Sequence, residues 1–583
     1  GLGPNNIAPR AFARLSSPAI PALIALFLCF EAAGNWCMAV NLVLIVLPPK
    51  PDGGRRPIGL FPTIIRIWMR ARIWAAREWE RRHDHDSLFA GPDMGAQKAS
   101  WQEAFAAEAA ALGGLEHAQA LLDLVKAFET VPHWVLVEAA KLKGYPAIIL
   151  QLSLAAYRLA RTIGVDGVYS RTIVATRGIT AGSGFATSEL RVLMLDLINA
   201  LQARWANIIV TKVYVDDLTL AVSGLPQKVI RELAQAIDFA VHVLEDAMLM
   251  QVSAKKSKVV ASKPSIAQAV VNATASDRIS SAKVAKLLGT DTVGGTRRST
   301  VGFRKRLSDF SSSIHRHTVL RRIGVNTTLM ARTAAVPKVM YGCETMGLSD
   351  SCLKDARTKI AKAASPVTCG RNPVLTLLSI DGVSGTLDPA FEAHASVTRH
   401  WALAVWNQWF DSQHMQTALD AARHKLAQAK CSWWTLVAGP STALLATLRR
   451  LGWKCHDATT LVTDEGRHLD LRADPPVVVA NEVKEAVRRL RWKEAEAVLP
   501  GLLPTVADSG LQQPHNLRTV LVPCVSGIST MLKGKPCPKA AGPVRDLWHS
   551  RYRGDLASAV CGGQWTQARK ALVPAFGVTD SSC

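Results

Sequence analysis

Apolar and polar positions along the chain follow both helical and strand periodicities. The run NLVLIVL at 41–47 predicts a strand, and the turn-rich, basic loop PPKPDGGRRPIG (48–59) follows it. Helical patterning returns at 62–82, and residues 101–112 have high helix propensity before they meet Gly113 and Gly114. The first part of the chain is therefore expected to combine a strand with two long helices.

Strand-like and helix-like segments then follow one another irregularly between residues 115 and 295. The pattern predicts a strand and turn over 118–133, a helical stretch over 134–162, a strand over 168–176, a Gly-rich loop opening a helix over 177–201, two strands joined by a tight turn around 216, an amphipathic helix over 226–250 and a strand over 252–262. This order is typical of an α+β sheet with helices on one face. Residues 351–583 are predicted to be mostly helical.

Composition and charge narrow the choice of partners. The chain has 583 residues, of which 49% are hydrophobic and 20% charged, so a folded protein of several domains is expected. Its formal net charge is +23, with 69 Lys and Arg against 46 Asp and Glu. Such an excess favours a polyanion, either a nucleic acid or an anionic membrane surface.

A membrane location is not favoured by the sequence. The apolar run PAIPALIALFLCF (18–30) is too short to span a bilayer and ends at Glu31, so it predicts a buried helix. The 11 cysteines form no CxxC pair, which fits reduced intracellular thiols, with nucleus and cytoplasm both left open. Because the chain begins with Gly and stops directly after GVTDSS, we expect it to be a fragment of a longer protein.

Two adjacent aspartates interrupt an apolar stretch in KVYVDDLTLAV (212–222). A tight turn between two strands would expose Asp216 and Asp217 at a sheet edge, where Mg²⁺ binds carboxylates together with substrate phosphates. A two-metal phosphoryl-transfer site needs a further carboxylate, and Asp123, at the end of a predicted strand, is the candidate. On its own, an aspartate pair in a hairpin is more often a solvated turn.

Several motifs in order resemble those of reverse transcriptases, most closely the non-LTR (LINE-type) retrotransposon polymerases. They are LPPKPDGGRRPIGL (47–60) in the fingers, DLVKAFETVPH (123–133) as motif A, YVDD (214–217), KKSK (255–258), the primer-grip-like KLLGTDTVGG (286–295) and the thumb-like VPKVMYGCET (336–345). Together they cover residues 41–345. The combination of DxxKAF with YxDD is specific to that family.

The resemblance implies a role for each matching residue. Asp123, Asp216 and Asp217 would be catalytic and would hold two Mg²⁺ ions, with Mn²⁺ as the alternative. The nucleotide-binding residues would be Lys50, Arg56, Phe128, Gly182 and Lys256. The ring of Phe128 would exclude a 2′-hydroxyl, which favours deoxynucleotides. Without the motif, Phe128 is equally well explained by core packing, and Lys50 and Arg56 by solvated loop charges.

Two positions depart from the family pattern. Motif B usually reads GxxQG, whereas GITAGSGFATS (178–188) has Ala181 in place of the glutamine that helps to position template and nucleotide. Glu129 replaces the usual aspartate of motif A, which is a milder change. The departure at Ala181 keeps open a catalytically impaired or domesticated retroelement protein that binds RNA.

The implied architecture is a right-hand polymerase with a mostly helical C-terminal extension. It would have an N-terminal helical segment at 1–40, fingers at 41–115, a palm with the catalytic aspartates at 116–300, a thumb at 301–350 and an extension of unknown role at 351–583. The implied function is RNA-directed DNA synthesis by a mobile element. An RNA-dependent RNA polymerase is the alternative within the enzyme class.

Basic segments predict the nucleic-acid track. Residues 50–82 hold nine Lys and Arg against three acids, and residues 301–345 hold eight against two. Arg304, Lys305 and Arg306 are the candidate nucleic-acid contacts of the second segment. The expected partners are an RNA template, a DNA primer or target and deoxynucleoside triphosphates, with no membrane.

Overall fold

The computed structural model describes residues 3–50, 53–91, 94–364, 372–381 and 386–498. The described residues divide into two compact units, the first formed by those up to Ala99 with Leu115–Ala285 and the second by Ser100–Gly114 with those from Lys286 onward. The part of the expected C-terminal extension from residue 499 onward lies outside the described residues.

The first unit combines helices with two sheets, as an α+β fold requires. Its helices are α1 (Ala19–Ala33), α2 (Thr63–Arg82), the start of α3 (Ala96–Leu112), α4 (Ala127–Thr130), α5 (His133–Leu142), α6 (Ala147–Tyr157), α7 (Ala186–Trp205), α8 (Pro226–His242) and α9 (Pro264–Ala273). Its strands are β1 (Leu42–Val46), β2 (Ile58–Leu60), β3 (Glu116–Leu122), β4 (Ala160–Val165), β5 (Val168–Tyr169), β6 (Val210–Tyr214), β7 (Asp217–Gly224), β8 (Lys258–Ala261) and β9 (Ser280–Ser281).

The central sheet of this unit has five strands in the order β6-β7-β3-β8-β9. Strands β3 and β7 are antiparallel neighbours, with Leu122 opposite Leu218. Most of their residues are buried on both faces, which explains why both read as apolar runs. Helix α8 packs on β3 and β7 and contacts α7 and α9. The sheet therefore brings the ends of β3 and β7 side by side.

A second sheet, in the order β2-β1-β4-β5, carries the basic loop between β1 and β2. Strand β1 pairs antiparallel with β2 and parallel with β4. A bridge between Pro49 and Arg55 closes the loop, and the Arg56 N–H donates to the Pro48 carbonyl at 3.0 Å. These contacts join the two described sides of the predicted triphosphate-binding loop.

Helix α1 forms where the apolar run predicted a helix, but most of it is exposed. Only Phe27 and Phe30 are buried, while Ile24 and Leu28 are about half exposed. The helix packs along one side only, and Glu31 at its end pairs with Arg72 of α2 at 2.6 Å. The expectation of a buried helix is therefore wrong for its outer face.

The second unit is mainly helical. Its helices are the remainder of α3, then α10 (Val301–Arg322), α11 (Thr327–Met330), α12 (Val336–Met340), α13 (Cys343–Met346), α14 (Asp350–Ala364), α15 (Pro373–Asp381), α16 (Pro389–Trp406), α17 (Ser412–Ala427), α18 (Pro440–Leu451) and α19 (Pro476–Val498). Two short strands, β10 (Ala285–Leu287) and β11 (Thr290–Thr292), pair with each other. An antiparallel three-stranded sheet contains β12 (Lys454–Cys455), β13 (Thr460–Val462) and β14 (His468–Asp470).

A buried carboxylate ties α3 into the second unit. Glu108 is fully buried, and it accepts hydrogen bonds from the backbone N–H of Ser441 at 2.6 Å and of Thr442 at 3.1 Å. These two groups lie in the first turn of α18, whose N–H groups have no partner within the helix. Trp101 and Phe105, also on α3, are buried in the same core. The α3 segment therefore supplies both a cap and apolar packing to residues far along the chain.

A buried ion-pair network joins three helices of this unit. Asp388 has no exposed surface, and it precedes α16, where its carboxylate accepts from the Ala390 N–H at 2.8 Å. Arg357 of α14 and Arg491 of α19 each bring Nε to 3.0 Å from one of its oxygens. Arg357 also pairs with Glu494 at 2.8 Å, so two carboxylates face the two buried guanidinium groups.

In the part of the chain that the structure describes, no helix is at once long enough and apolar enough to cross a membrane.

Candidate active site

Asp216 lies at the tip of the β6–β7 hairpin. Tyr214 pairs with Asp217, so Val215 and Asp216 form a two-residue turn between the strands. Val215 has a φ of 62°, which a β-branched residue rarely adopts. Backbone strain of this kind is concentrated at functional sites. The turn predicted from the sequence is present, and its strained backbone marks it as a candidate functional site.

Asp123 follows β3 directly, next to the start of β7. Its backbone is fixed on both sides, because its N–H donates to Ser257 Oγ at 3.2 Å and its carbonyl accepts from the Ser253 N–H at 2.8 Å. Lys256 Nζ donates to both carboxylate oxygens of Asp123, at 3.0 and 3.1 Å. The turn that contains the predicted lysine motif therefore reaches directly to the predicted motif A aspartate.

The three carboxylates influence one another electrostatically. Burial raises the pKa of Asp216, the charge of Asp123 adds to the effect, and Lys256 and Arg56 offset it only in part. Burial likewise raises the pKa of Asp217, to about 6, with the charges of Asp216 and Asp123 as further causes. Like charges held together in a partly desolvated place disfavour ionisation. The structure thus gathers negative charge that its own cations do not fully balance.

The donor chemistry of this group fits a hard divalent cation. Among the described residues, no three or more His, Cys, Asp and Glu side chains are arranged as a ready metal site. The Lys256 ammonium group forms an ion pair with the Asp123 carboxylate. Carboxylate oxygens are the ligands that Mg²⁺ and Mn²⁺ prefer, and added positive charge would relieve the repulsion that raises the two pKa values. Binding of a cation at Asp123 would displace the ammonium group from that carboxylate.

Of the predicted nucleotide contacts, Arg56 and Lys256 lie within electrostatic range of Asp216. Lys50 lies in the β1–β2 loop, where its N–H donates to the Gly54 carbonyl at 2.7 Å. Phe128, on α4, is half-buried against the core of the first unit. The charges of Arg56 and Lys256 therefore act on Asp216, and Lys256 also contacts Asp123 directly. The structure shows no direct contact between Lys50 and the three aspartates.

The motif B loop is held by backbone contacts rather than by a glutamine side chain. The Ala181 carbonyl accepts from the Gly59 N–H at 2.6 Å, which ties the loop to β2. Gly182 has a φ of 119°, and a Cβ there would lie 2.2 Å from the Gly59 carbonyl oxygen. The Ile179 N–H also donates to the Phe128 carbonyl at 2.7 Å. Only glycine permits this approach of residue 182 to Gly59. The expected approach of Gly182 to a nucleotide stays a prediction.

The three basic candidates of the thumb-like segment lie on α10 in the second unit. Arg304 and Lys305 are exposed, and Lys305 Nζ lies 3.7 Å from Asp309 Oδ1. Arg306 instead donates to the carbonyls of Gly289 at 3.1 Å and Tyr341 at 2.6 Å. Arg306 therefore has a structural task, whereas Arg304 and Lys305 keep their charges at the surface.

A buried carboxyl beneath the motif B loop was missed by the sequence analysis. Glu189, in the first turn of α7, is fully buried and accepts a 2.5 Å hydrogen bond from the Tyr157 hydroxyl. Burial raises the pKa of Glu189 to about 7, against the lowering effect of the hydrogen bond from Tyr157. The only available signal was a lone acid directly before the apolar run LRVLML. This pair braces the helix that the loop opens.

Replacing Glu189 by glutamine is expected to change how stability depends on pH. With a pKa near 7, Glu189 keeps its proton in the folded chain, whereas the unfolded chain releases it above about pH 4.3. The free energy of unfolding therefore falls as the pH rises from about 4.3 to about 7. Glu189→Gln should abolish that fall, which is on the order of a few kcal/mol. Urea unfolding at several pH values between 5 and 8 measures it.

Glu232 provides the matched control for this measurement. Its pKa is lowered, mainly by the hydrogen bond from Arg231, so Glu232→Gln should leave the fall between pH 5 and 7 in place. A Glu189→Gln variant with the wild-type pH profile would show that the buried carboxyl is not protonated in the folded chain.

Comparison with known proteins adds a family match. Residues 48–291 match the model of the family described as reverse transcriptase (RNA-dependent DNA polymerase). This range includes the three aspartates, the β1–β2 loop and the motif B loop. No curated protein matches the chain.

Similar solved structures include two telomerases. Truncated apo telomerase from Candida tropicalis is 13% identical, with 47% of this chain and 58% of that chain covered and a TM-score of 0.32. Telomerase from Candida albicans, in complex with a fragment of telomeric RNA, is 10% identical, with 70% and 68% covered and a TM-score of 0.36. This chain thus spans less than two thirds of the truncated telomerase.

The conclusion therefore rests on the family match and on the motifs within it. Over residues 48–291, this chain is similar to the reverse transcriptase (RNA-dependent DNA polymerase) family.

Proposed function

We propose that this protein is an RNA-directed DNA polymerase that transfers deoxynucleotides to the 3′-hydroxyl of a primer. The observation that carries the proposal is the grouping of Asp123, Asp216 and Asp217 at the adjoining ends of β3 and β7 inside a reverse transcriptase domain. The substrates would be an RNA template, a DNA primer or target and deoxynucleoside triphosphates.

Each residue of the site has a distinct task in this proposal. Asp123 and Asp216 would hold two Mg²⁺ ions, with Asp217 as the third carboxylate. When bound, such ions supply charge neutralisation on the transferring phosphoryl group and make the primer hydroxyl a better nucleophile. Arg56 and Lys256 place positive charge beside these carboxylates, where a triphosphate would need it.

The backbone of the site would set the position of the incoming nucleotide. Gly182 is held against Gly59 of β2, and its main chain would lie beside the sugar and base of the incoming nucleotide. The backbone carbonyl of Phe128 accepts from the Ile179 N–H of the motif B loop. This contact would help to place the Phe128 ring beside the loop. These contacts would compensate for the missing glutamine at Ala181.

We assign the right-hand subdivision on the same grounds. Residues 41–115 would be the fingers, 116–300 the palm and 301–350 the thumb, with Arg304 and Lys305 of α10 contacting nucleic acid. Motif order supports a non-LTR retrotransposon origin, which would make the natural template an RNA of a mobile element.

A second candidate function is supported by one observation. Ala181 lacks a side chain that can reach template or nucleotide, so a protein that binds RNA without polymerising it also fits the motif B loop. Extension of a DNA primer on an RNA template separates the two functions directly. Incorporation of deoxynucleotides supports the polymerase, and RNA binding without any extension supports the second function.

Replacing Phe128 by alanine is expected to weaken discrimination against ribonucleotides. Removal of the ring would free the space that a 2′-hydroxyl needs, so incorporation of ribonucleotides relative to deoxynucleotides should rise by about 10- to 200-fold. Single-nucleotide primer extension with each nucleotide type measures the ratio.

Phe239 offers a control of the same residue type in the same unit. It packs against Trp205, with ring centroids 5.6 Å apart, so Phe239→Ala removes an equal ring without touching the sugar pocket. That variant should keep wild-type selectivity. Equal use of both nucleotide types by the wild-type protein would contradict the gate and would favour an RNA polymerase.

A further inference from the structure

The outer face of α2 carries an arginine-rich stripe with one tryptophan. Arg70, Trp74, Arg77 and Arg81 are all exposed and are spaced by four, three and four residues. At 3.6 residues per turn they lie on one side of the helix, over a length of about 16 Å. These four residues are called the α2 stripe below.

The tryptophan of the stripe differs from the other two on the same helix. Trp68 and Trp79 are buried, and their indole N–H groups donate to Glu31 at 2.7 Å and to the Lys143 carbonyl at 2.8 Å. Trp74 is 61% exposed and bonds to none of the described residues. Packing of α2 therefore accounts for two of the tryptophans and leaves the third uncovered.

The two arginines that flank Trp74 differ from other arginines of α2. Arg72 pairs with Glu31 at 2.6 Å, and Arg81, at the end of the stripe, pairs with Glu78 at 2.9 Å. Arg70 and Arg77, which flank Trp74, form no ion pair with the described residues. Two uncompensated cations about 10 Å apart along the axis thus bracket one exposed aromatic ring.

We propose that the α2 stripe binds single-stranded RNA, with one base stacked on Trp74 and phosphates at Arg70 and Arg77. This inference rests on the proposed function, since it names a second contact of the same protein with its RNA. An exposed ring between cations suits a single strand, whose unpaired bases are free to stack while the backbone follows the charges. A duplex keeps its bases covered and offers no face to the indole.

The composition of the stripe argues against a lipid surface. A helix that inserts into the membrane interface presents several large apolar side chains on one face. Here Trp74 is the single large apolar residue among three arginines, and Ala71 is its exposed neighbour. The arginines of this face can bind phosphate groups, and its one tryptophan can stack with one base.

The stripe begins beside the motif B loop. Met69, next to Arg70, turns inward, where its sulfur accepts from the Gly184 N–H at 3.4 Å. The inner side of α2 thus supports the loop of the active site, and the outer side carries the stripe. RNA bound along the stripe would be the unpaired part of a strand whose paired part occupies the site.

Affinity for a labelled single-stranded RNA oligonucleotide tests the proposal. Trp74→Ala should weaken binding by about 5- to 100-fold, the range of base–aromatic stacking, and Trp74→Phe should recover most of it. Neutralising both flanking arginines, Arg70→Gln with Arg77→Gln, should reduce the slope of log affinity against log salt by about 1.4. All three positions are exposed, so the variants should fold, and thermal unfolding tests whether they do.

Trp134 is the matched control for the stacking contribution. It is 63% exposed on α5 in the same unit, near the Lys141–Glu138 ion pair rather than between free arginines. Trp134→Ala should leave RNA affinity unchanged. An equal loss in Trp134→Ala and Trp74→Ala, or wild-type affinity in all stripe variants, would overturn the proposal.

The outcome is separable from that of the polymerase assay. If the wild type extends no primer while the stripe variants lose RNA affinity, the polymerase proposal fails and the stripe stands. If the wild type extends primers and the stripe variants bind RNA normally, only the stripe fails. Loss of binding to anionic lipid vesicles, with RNA affinity retained, would overturn the stripe in favour of a membrane.

Discussion

Asp216→Asn is expected to reduce primer extension by about 10³-fold or more, the scale on which single catalytic groups act. The substitution keeps the shape of the side chain and removes the charge on which cation binding would depend. Stability should be unchanged or higher, because burial and the charge of Asp123 already raise the pKa of this carboxyl in the folded chain. Single-nucleotide extension and urea unfolding measure the two effects.

A loss of extension without a loss of stability distinguishes a catalytic aspartate from a structural one. Asp196 is a matched control, since it lies in the same unit as an exposed partner of Lys143 at 2.6 Å. Asp196→Asn should retain full extension and at most a small loss of stability. An Asp216→Asn variant that extends primers at the wild-type rate would remove this carboxylate from the mechanism.

Asp388→Ala is expected to lower the free energy of unfolding by about 3–5 kcal/mol, the cost of leaving buried charge unpaired. The guanidinium group of Arg491 would lose the carboxylate beside it, and that of Arg357 would be left with Glu494. Helix α16 would also lose its N-terminal cap. Urea unfolding of the whole chain, followed by circular dichroism, measures the change through the helices of the second unit.

The pH dependence of this network gives a second measure. Burial would raise the pKa of Asp388, but the charges of Arg357 and Arg491 outweigh it, and the pKa is lowered. A carboxyl of this kind contributes stability above its unfolded pKa, and the contribution is lost as pH falls through the folded value. Asp388→Ala should remove that part of the acid sensitivity.

Asp420 provides the comparison for a pair at the surface. It pairs with Arg423 on α17, and its side chain is 56% exposed. Asp420→Ala should cost about 0–1 kcal/mol. Equal losses in the two variants would show that the Asp388 network is not desolvated.

Local pattern predicted the elements that frame the site. Strand β1, helix α2 and the β6–β7 hairpin lie where the apolar runs placed them, because each is long and bounded by turn residues. The strand expected over 252–262 begins only at Lys258, since the preceding residues form the turn whose Ser253 N–H holds Asp123. A tertiary contact there overrides a strand-like sequence.

Motif order located the aspartates but not the groups that act on them. The ion pair between Lys256 and Asp123 joins residues 133 positions apart, and no local pattern encodes such a contact. Glu189 was missed for the same reason, because its partner Tyr157 lies on another helix. The attachment of α3 to the second unit was missed too, since helix propensity says nothing about the helix on which it packs.

The cap that Glu108 places on α18 has a consequence for synthesis of the chain. Glu108 and Thr442 are separated by 334 positions, so a ribosome working at about 5–20 residues per second needs roughly 20 to 70 s to make the partner after it has made the carboxylate. Trp101 and Phe105 of α3 pack against Trp401, Trp409 and Phe410, so they also stay uncovered until residues far along the chain have been made. A chain cut before α16 would lack both the aromatic partners and the capped helix, so the apolar face of α3 would stay exposed. Such fragments are expected to recruit chaperones or aggregate even when every residue of the polymerase site is present.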